Sequence, residues 1–202
     1  MPCFTPKDTI KFECILNDTL IKTITVNNNT PKKISYEVSL EGIKDFSIRE
    51  NSISLEPGQK KEFLVKFVAR ISKPVTARIT FRRAKESTSV GAPLVYDLKS
   101  KIKGRVSTER VEINDCAVYE TKLHEIRIIN PFERDAIFNL SIETPQMEGK
   151  VKTCVIPSFF ITSPRIHIQA KKSAKITICY LPISFKVHTG YLVLLDERVG
   201  EL

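Results

Sequence analysis

The chain has 202 residues, 42% hydrophobic and 27% charged, with a formal net charge of +9. That balance fits one large domain or two small ones and excludes a disordered tail. It also excludes a membrane-spanning helix, because the longest apolar run, Tyr191–Leu195, is five residues where a span needs about 20.

The five cysteines (Cys3, Cys14, Cys116, Cys154, Cys179) are odd in number and irregular in spacing, a poor disulfide framework that suits a reducing compartment. No apolar segment follows the N-terminal Met-Pro-Cys-Phe-Thr-Pro, so no secretory leader is expected. These features predict a soluble intracellular protein. The charge is lopsided. Through Arg105 there are 20 Lys/Arg against 11 Asp/Glu, and beyond it 12 against 12, so the first half carries the whole excess. A basic half joined to a neutral half suits a module that meets an acidic partner.

In chain order, Ile24–Val26, Tyr36–Leu40, Ile53–Leu55, Phe63–Phe67, Ala77–Phe81 and Tyr96–Leu98 alternate apolar and polar residues at period two, the mark of half-buried strands. Between them lie Asn27-Asn-Asn-Thr-Pro31, Glu56-Pro-Gly58 and Gly91-Ala-Pro93, residues that favour turns. No helical stripe of ten residues interrupts this series. An all-β chain is predicted.

The pattern then repeats. Ile53-Ser-Leu55 and Phe63-x-Val65-x-Phe67 return 113 residues later as Ile166-His-Ile168 and Ile176-x-Ile178-x-Tyr180, and Ala77-x-Ile79-x-Phe81 returns as Gly190-x-Leu192-x-Leu194. Upstream, Ile24-Thr-Val26 returns at a shift of 102 as Ile126-Arg-Ile128, which places about 11 inserted residues at Gly149–Ser158. Two copies of six or seven short strands predict tandem immunoglobulin-like β-sandwiches, residues 1–105 and 106–202. The expected cores are Phe46, Phe63, Phe67, Ile79 and Phe81, then Ile128, Phe160, Ile176, Ile178 and Leu192.

In the second copy, Asn130-Pro131-Phe132, Phe160, Ile166-x-Ile168, Ile176-x-Ile178-x-Tyr180-Leu181-Pro182 and His188-x-Gly190-x-Leu192 follow one another. This succession resembles the ASH/hydin-type branch of the major-sperm-protein-like immunoglobulin folds. The first copy matches with Asn28, Phe46, Pro57-Gly58 and Phe67, but has Val68-Ala69 in place of the proline and Ala77 in place of the hairpin glycine. The resemblance implies a non-enzymatic scaffold of cilia, centrosomes and axonemes, a cytoplasmic and cytoskeletal setting, and a role in axoneme assembly and motility. Relatives also read short acidic, phenylalanine-containing peptides across a basic strand face, which implies an adaptor as the alternative.

The residues themselves offer no catalytic constellation. His124, His167 and His188 are scattered, His167 sits on the outward phase of a strand, and Cys179 reads as a half-buried structural thiol. There is no Cys-x2-Cys pair and no glycine-rich phosphate loop. No cofactor, metal, small-molecule substrate or membrane insertion is expected.

Two surfaces are candidates instead. With Ile79, Phe81, Tyr96, Leu98 and Ile102 inward, strand alternation turns Arg78, Thr80, Arg82, Lys99, Lys101 and Lys103 outward. Lys66 is expected to join that face, making a groove for an acidic peptide, a tubulin tail or nucleic acid. Nucleic acid is the less favoured, because no aromatic residue stands on these outward positions to stack bases and no helix can enter a groove. The second surface is Tyr191-Leu-Val-Leu-Leu195, expected to be an open sheet edge because the counterpart of the first copy's last strand only begins at Gly200-Glu-Leu202. Such an edge invites strand addition or self-association.

Overall fold

The computed structural model of the chain describes residues 4–84, 92–107, 109–144 and 157–202. The expected turn residue Gly91, and residues 149–156 of the expected insertion, lie outside them. The chain divides into two compact units, Met1–Val106 and Ser107–Leu202. Among the described residues every element is a strand and none is a helix, so the all-β expectation holds.

The first unit contains β1 (Asp8–Cys14), β2 (Thr19–Asn27), β3 (Ile34–Gly42), β4 (Phe46–Ile48), β5 (Ser52–Leu55), β6 (Lys60–Val68), β7 (Thr76–Arg83) and β8 (Leu94–Ile102). They form a five-stranded sheet in the order β1-β8-β7-β3-β5 and a three-stranded sheet in the order β2-β6-β4. Alternation sets the inner faces, as when β6 buries Phe63, Val65 and Phe67 and exposes Glu62, Leu64 and Lys66. The interior is aromatic. Phe12, Phe46 and Phe67 meet with ring centroids 4.7–5.6 Å apart. Phe63 stands edge-on to Phe81 at 5.2 Å, a favoured arrangement of ring quadrupoles. All five residues expected in this core are buried.

One long-range pairing was not expected: β1 runs parallel to β8 from Asp8 beside Tyr96 to Cys14 beside Ile102. It covers the outer edge of β8, becomes the edge strand of the larger sheet itself, and drops Phe12 into the core.

The second unit contains β9 (Lys122–Ile129), β10 (Ala136–Glu143), β11 (Phe159–Ile161), β12 (Arg165–Ile168), β13 (Ser173–Tyr180), β14 (Tyr191–Asp196) and β15 (Gly200–Glu201). Its sheets are β12-β10-β14-β15 and β11-β13-β9. Among the described residues its core has Ala136, Phe138, Leu140, Ile168, Ile176 and Leu194 buried, with Ile128 and Leu192 packed partly against them. Phe160 corrects the expectation. It is 40% exposed, because the residue 113 positions beyond Phe46 is Phe159, and a slip of one residue moves a strand side chain to the opposite face. Phe159 takes the inner position, stacked on Tyr180 at 4.8 Å, as Phe46 lies on Phe67.

The repeat extends to a buried clamp. Asn28 Nδ2 donates to the carbonyls of Lys32, Leu55 and Glu56 at 2.8–3.1 Å, while its Oδ1 accepts from Thr30 N–H and Oγ1. Asn130 Nδ2 donates to Arg134, Ile168 and Gln169 at 2.9–3.2 Å, and its Oδ1 accepts from Phe132 N–H. Both side chains are buried. Each fastens the loop after its strand to the turn before β6 or β13, where Gly58 (φ 72°) and Lys171 (φ 57°) occupy the same left-handed position.

Candidate functional site: a basic edge and an open edge

The alternating strands of the larger sheet do bring Arg78, Arg82, Lys99 and Lys101 to one outer face, since β7 and β8 pair directly, with Arg78 opposite Asp97 and Thr76 opposite Lys99. Lys66 is not on it. The chain crosses between sheets after β6, so Lys66 stands on the outer face of the three-stranded sheet, between Ile21 and Ser47. Thr80 also departs from expectation, being buried beside Ser39 and Val95.

The face is less uniformly basic than its sequence. Arg78 lies between Asp97 and Glu41 and donates from Nε to Asp97 Oδ1 at 2.8 Å. Arg82 lies opposite Glu37. A groove of about 480 Å³ runs here, lined by Glu41, Asp97, Arg78 and Lys99, two acids and two bases. The cationic excess falls instead at the β1–β8 border, where Lys11 is directly beside Lys99 and Lys101 beside Glu13. Lys103 caps Glu13 at 2.8 Å, and that hydrogen bond, then the lysine's charge, holds the Glu13 carboxyl below the usual range. Lys11 escaped the sequence reading because only a parallel pairing across more than 80 residues brings it here.

The second surface is β14. Its inner edge pairs with β10 from Tyr191 to Leu195. On its outer edge β15 pairs with Leu195 and Asp196, and Leu194 exchanges backbone hydrogen bonds with Leu202 at 2.9 and 3.0 Å. The expected open segment therefore shortens to Tyr191–Val193, which has no strand on that side among the described residues. In the first unit the equivalent strand β7 is covered from Thr76 to Phe81. The β14–β15 turn is tied by Asp196, whose carboxylate accepts from Ile137 N–H at 2.8 Å and Arg198 N–H at 2.9 Å. Burial pushes that carboxyl up, but the Arg198 side chain and the two N–H donors outweigh it, leaving the group below its ordinary range.

A third cluster was invisible in sequence. His188 places one ring nitrogen 3.1 Å from Tyr180 Oη and the other 3.1 Å from Ser184 Oγ. The arrangement closes the loop 184–188 and leaves Phe185 and Val187 at its tip, 98% and 94% exposed. The imidazole thus links β13, through Tyr180, to the loop that carries Ser184. Among the described residues no group of three or more His, Cys, Asp or Glu is placed to hold a metal.

Residues 3–87 match the family model of the MSP (major sperm protein) domain. The whole chain aligns with cilia- and flagella-associated protein 47 from Homo sapiens at 19% identity and from Mus musculus at 21%, and spans 8% of the length of either relative. Among solved structures, SSP-19, an MSP-domain-like protein of Caenorhabditis elegans, aligns at 11% identity and TM-score 0.35 over 45% of this chain and 94% of its own. WR4, an MSP family member of C. elegans, aligns at 8% and 0.36 over 46% and 91%. The first unit is thus MSP-like in sequence, and the chain as a whole is similar, at low identity, to one stretch of cilia- and flagella-associated protein 47.

Proposed function

We propose that this chain is a non-enzymatic protein-interaction segment of a ciliary or flagellar protein, acting in the cytoplasm at the axonemal cytoskeleton and contributing to axoneme assembly and motility. The observation that carries the reading is the alignment of the entire two-unit chain with cilia- and flagella-associated protein 47. The surface assigned to an acidic partner, a tubulin tail or an acidic peptide, is the β1–β8 border with Lys11, Lys99, Lys101 and Lys103. Arg78 and Arg82 are set among acids and contribute less.

The test is co-sedimentation of the purified chain with demembranated axonemes. Wild type is expected to pellet with them, increasingly released as salt rises. The triple variant Lys11→Glu, Lys99→Glu, Lys101→Glu should stay in the supernatant with its melting temperature nearly unchanged, because exposed charges add little stability. Pelleting equal to wild type removes the basic border, and no pelleting of wild type removes the axonemal reading.

The uncovered stretch Tyr191–Val193 supports a second mode of contact, addition of a strand from another polypeptide or from a second copy. Hydrogen exchange measures the edge directly. The backbone amides of β14 should exchange well before those of β7, whose both edges are paired. Equal protection of the two strands would mean that β14 is already covered.

A further inference from the structure

Beside the start of β14 the inner side of the second unit is poorly covered. Ile79, Phe46 and Phe67 of the first unit are at most 3% exposed. Leu192, Phe159 and Tyr180, at the matching places of the second, are only half-buried. Two strands make the difference. In the first unit β8 sets Tyr96 opposite Ile79 and Leu98 opposite Ala77, and both side chains enter the core. β1 adds Phe12, which packs on Phe46 and Phe67. In the second unit β15 and Leu202 reach no further along β14 than Leu194. Among the described residues no strand sets a side chain opposite Leu192 or Gly190, and the 102-residue shift puts an exposed asparagine, Asn114, where Phe12 stands.

The backbone is exposed at the same place. Leu194 exchanges both its backbone hydrogen bonds with Leu202. An antiparallel ladder repeats at every second residue, so Leu192 turns its N–H and C=O to the same side, where no strand meets them among the described residues. Gly190, in the place of Ala77, adds no side chain of its own, and the Phe159 ring lies 3.2 Å from where one would begin. A residue added opposite Gly190 comes down beside that ring. The first unit thus shows what fits: an extended segment antiparallel to β14, with one large apolar residue opposite Leu192 and a second, two positions on, opposite Gly190. Tyr96-Asp-Leu98 is that pattern.

We propose that the β14 edge takes an extended segment of a partner polypeptide carrying two large apolar residues separated by one. The segment pairs with Leu192 and closes the core over Leu192 and Phe159. This rests on the open-edge reading above and adds the chemistry of the occupant: the two side chains, and not the backbone alone, select it.

The test is amide exchange of the full chain, read residue by residue by NMR, with a synthetic peptide of residues 94–102 as the probe. In the free chain the Leu192 amide should exchange fast and the Ile79 amide slowly, since β7 is paired on both edges. Peptide at ten times its Kd should slow Leu192 about tenfold and leave Ile79 unchanged. The same peptide carrying Tyr96→Ser and Leu98→Ser should bind at least about tenfold more weakly, for want of the apolar burial. A Leu192 amide as protected as Ile79 in the free chain overturns the open edge and this proposal together. Fast exchange at Leu192 with equal affinity for the two peptides keeps the open edge and overturns the proposal, as does a Leu192 amide that neither peptide slows. Protection of Leu192 that grows with the concentration of the chain alone assigns the edge to a second copy and overturns the separate partner.

Discussion

Phe67→Ala should destabilise the first unit by about 3–5 kcal/mol, the range for emptying a buried phenylalanine site, and lower its melting temperature by roughly 15–30 °C. Phe67 is 1% exposed and its ring touches those of Phe12 and Phe46, from two other strands and both sheets. Deleting it therefore opens a cavity that no single strand can close by shifting. Calorimetry of the full chain measures the effect as movement of the first unit's transition alone. A melt within a degree or two of wild type would place Phe67 outside the core and reverse the facing of β6.

Asn28→Ala and Asn130→Ala should each cost their own unit about 2–4 kcal/mol, although neither deletion leaves a large void. The loss is of hydrogen bonds at a buried site, where each polar group left without a partner costs about 1–3 kcal/mol. Three backbone carbonyls lose their donor in each case. Asn→Asp at the same positions keeps the acceptor oxygen and removes the Nδ2 donors, so it separates the two halves of the clamp. If Asp behaves as Asn does at neutral pH, the carbonyl contacts contribute nothing and the clamp rests on Oδ1 alone.

Chemical denaturation of the paired variants should show equal effects in the two units, since the partners of Asn28 and Asn130 occupy corresponding places. That correspondence was readable before the structure: Asn28 and Asn130 end strands related by the same 102-residue shift that relates Ile24 to Ile126. The fold was legible for the same reason, because period-two alternation is local and the repeat doubles every signal. What depended on pairing between distant strands was not. The parallel β1–β8 ladder joins residues nearly 90 positions apart, and no periodicity announces it, so Lys11 was missed. Consecutive strands are neighbours at β7 and β8 but not at the crossing from β6 to β7, so alternation alone puts Lys66 on the wrong sheet. Phe160 shows how narrow the margin is in two adjacent phenylalanines: the period is two, so a one-residue error in copying Phe46 onto Phe159 inverts the assignment. His188 lies in a loop, where neither period nor shift predicts which side chains meet.

The parallel ladder also decides how the first unit answers to mechanical tension. The chain enters β1 at Asp8, level with Tyr96, and leaves β8 at Ile102, level with Cys14. A pull on the two ends of the unit drags these adjacent strands in opposite directions along one seam, so seven residue pairs share the load in shear and must yield together. Load carried along the first unit therefore meets a ladder that resists as one, a stiff link in the chain.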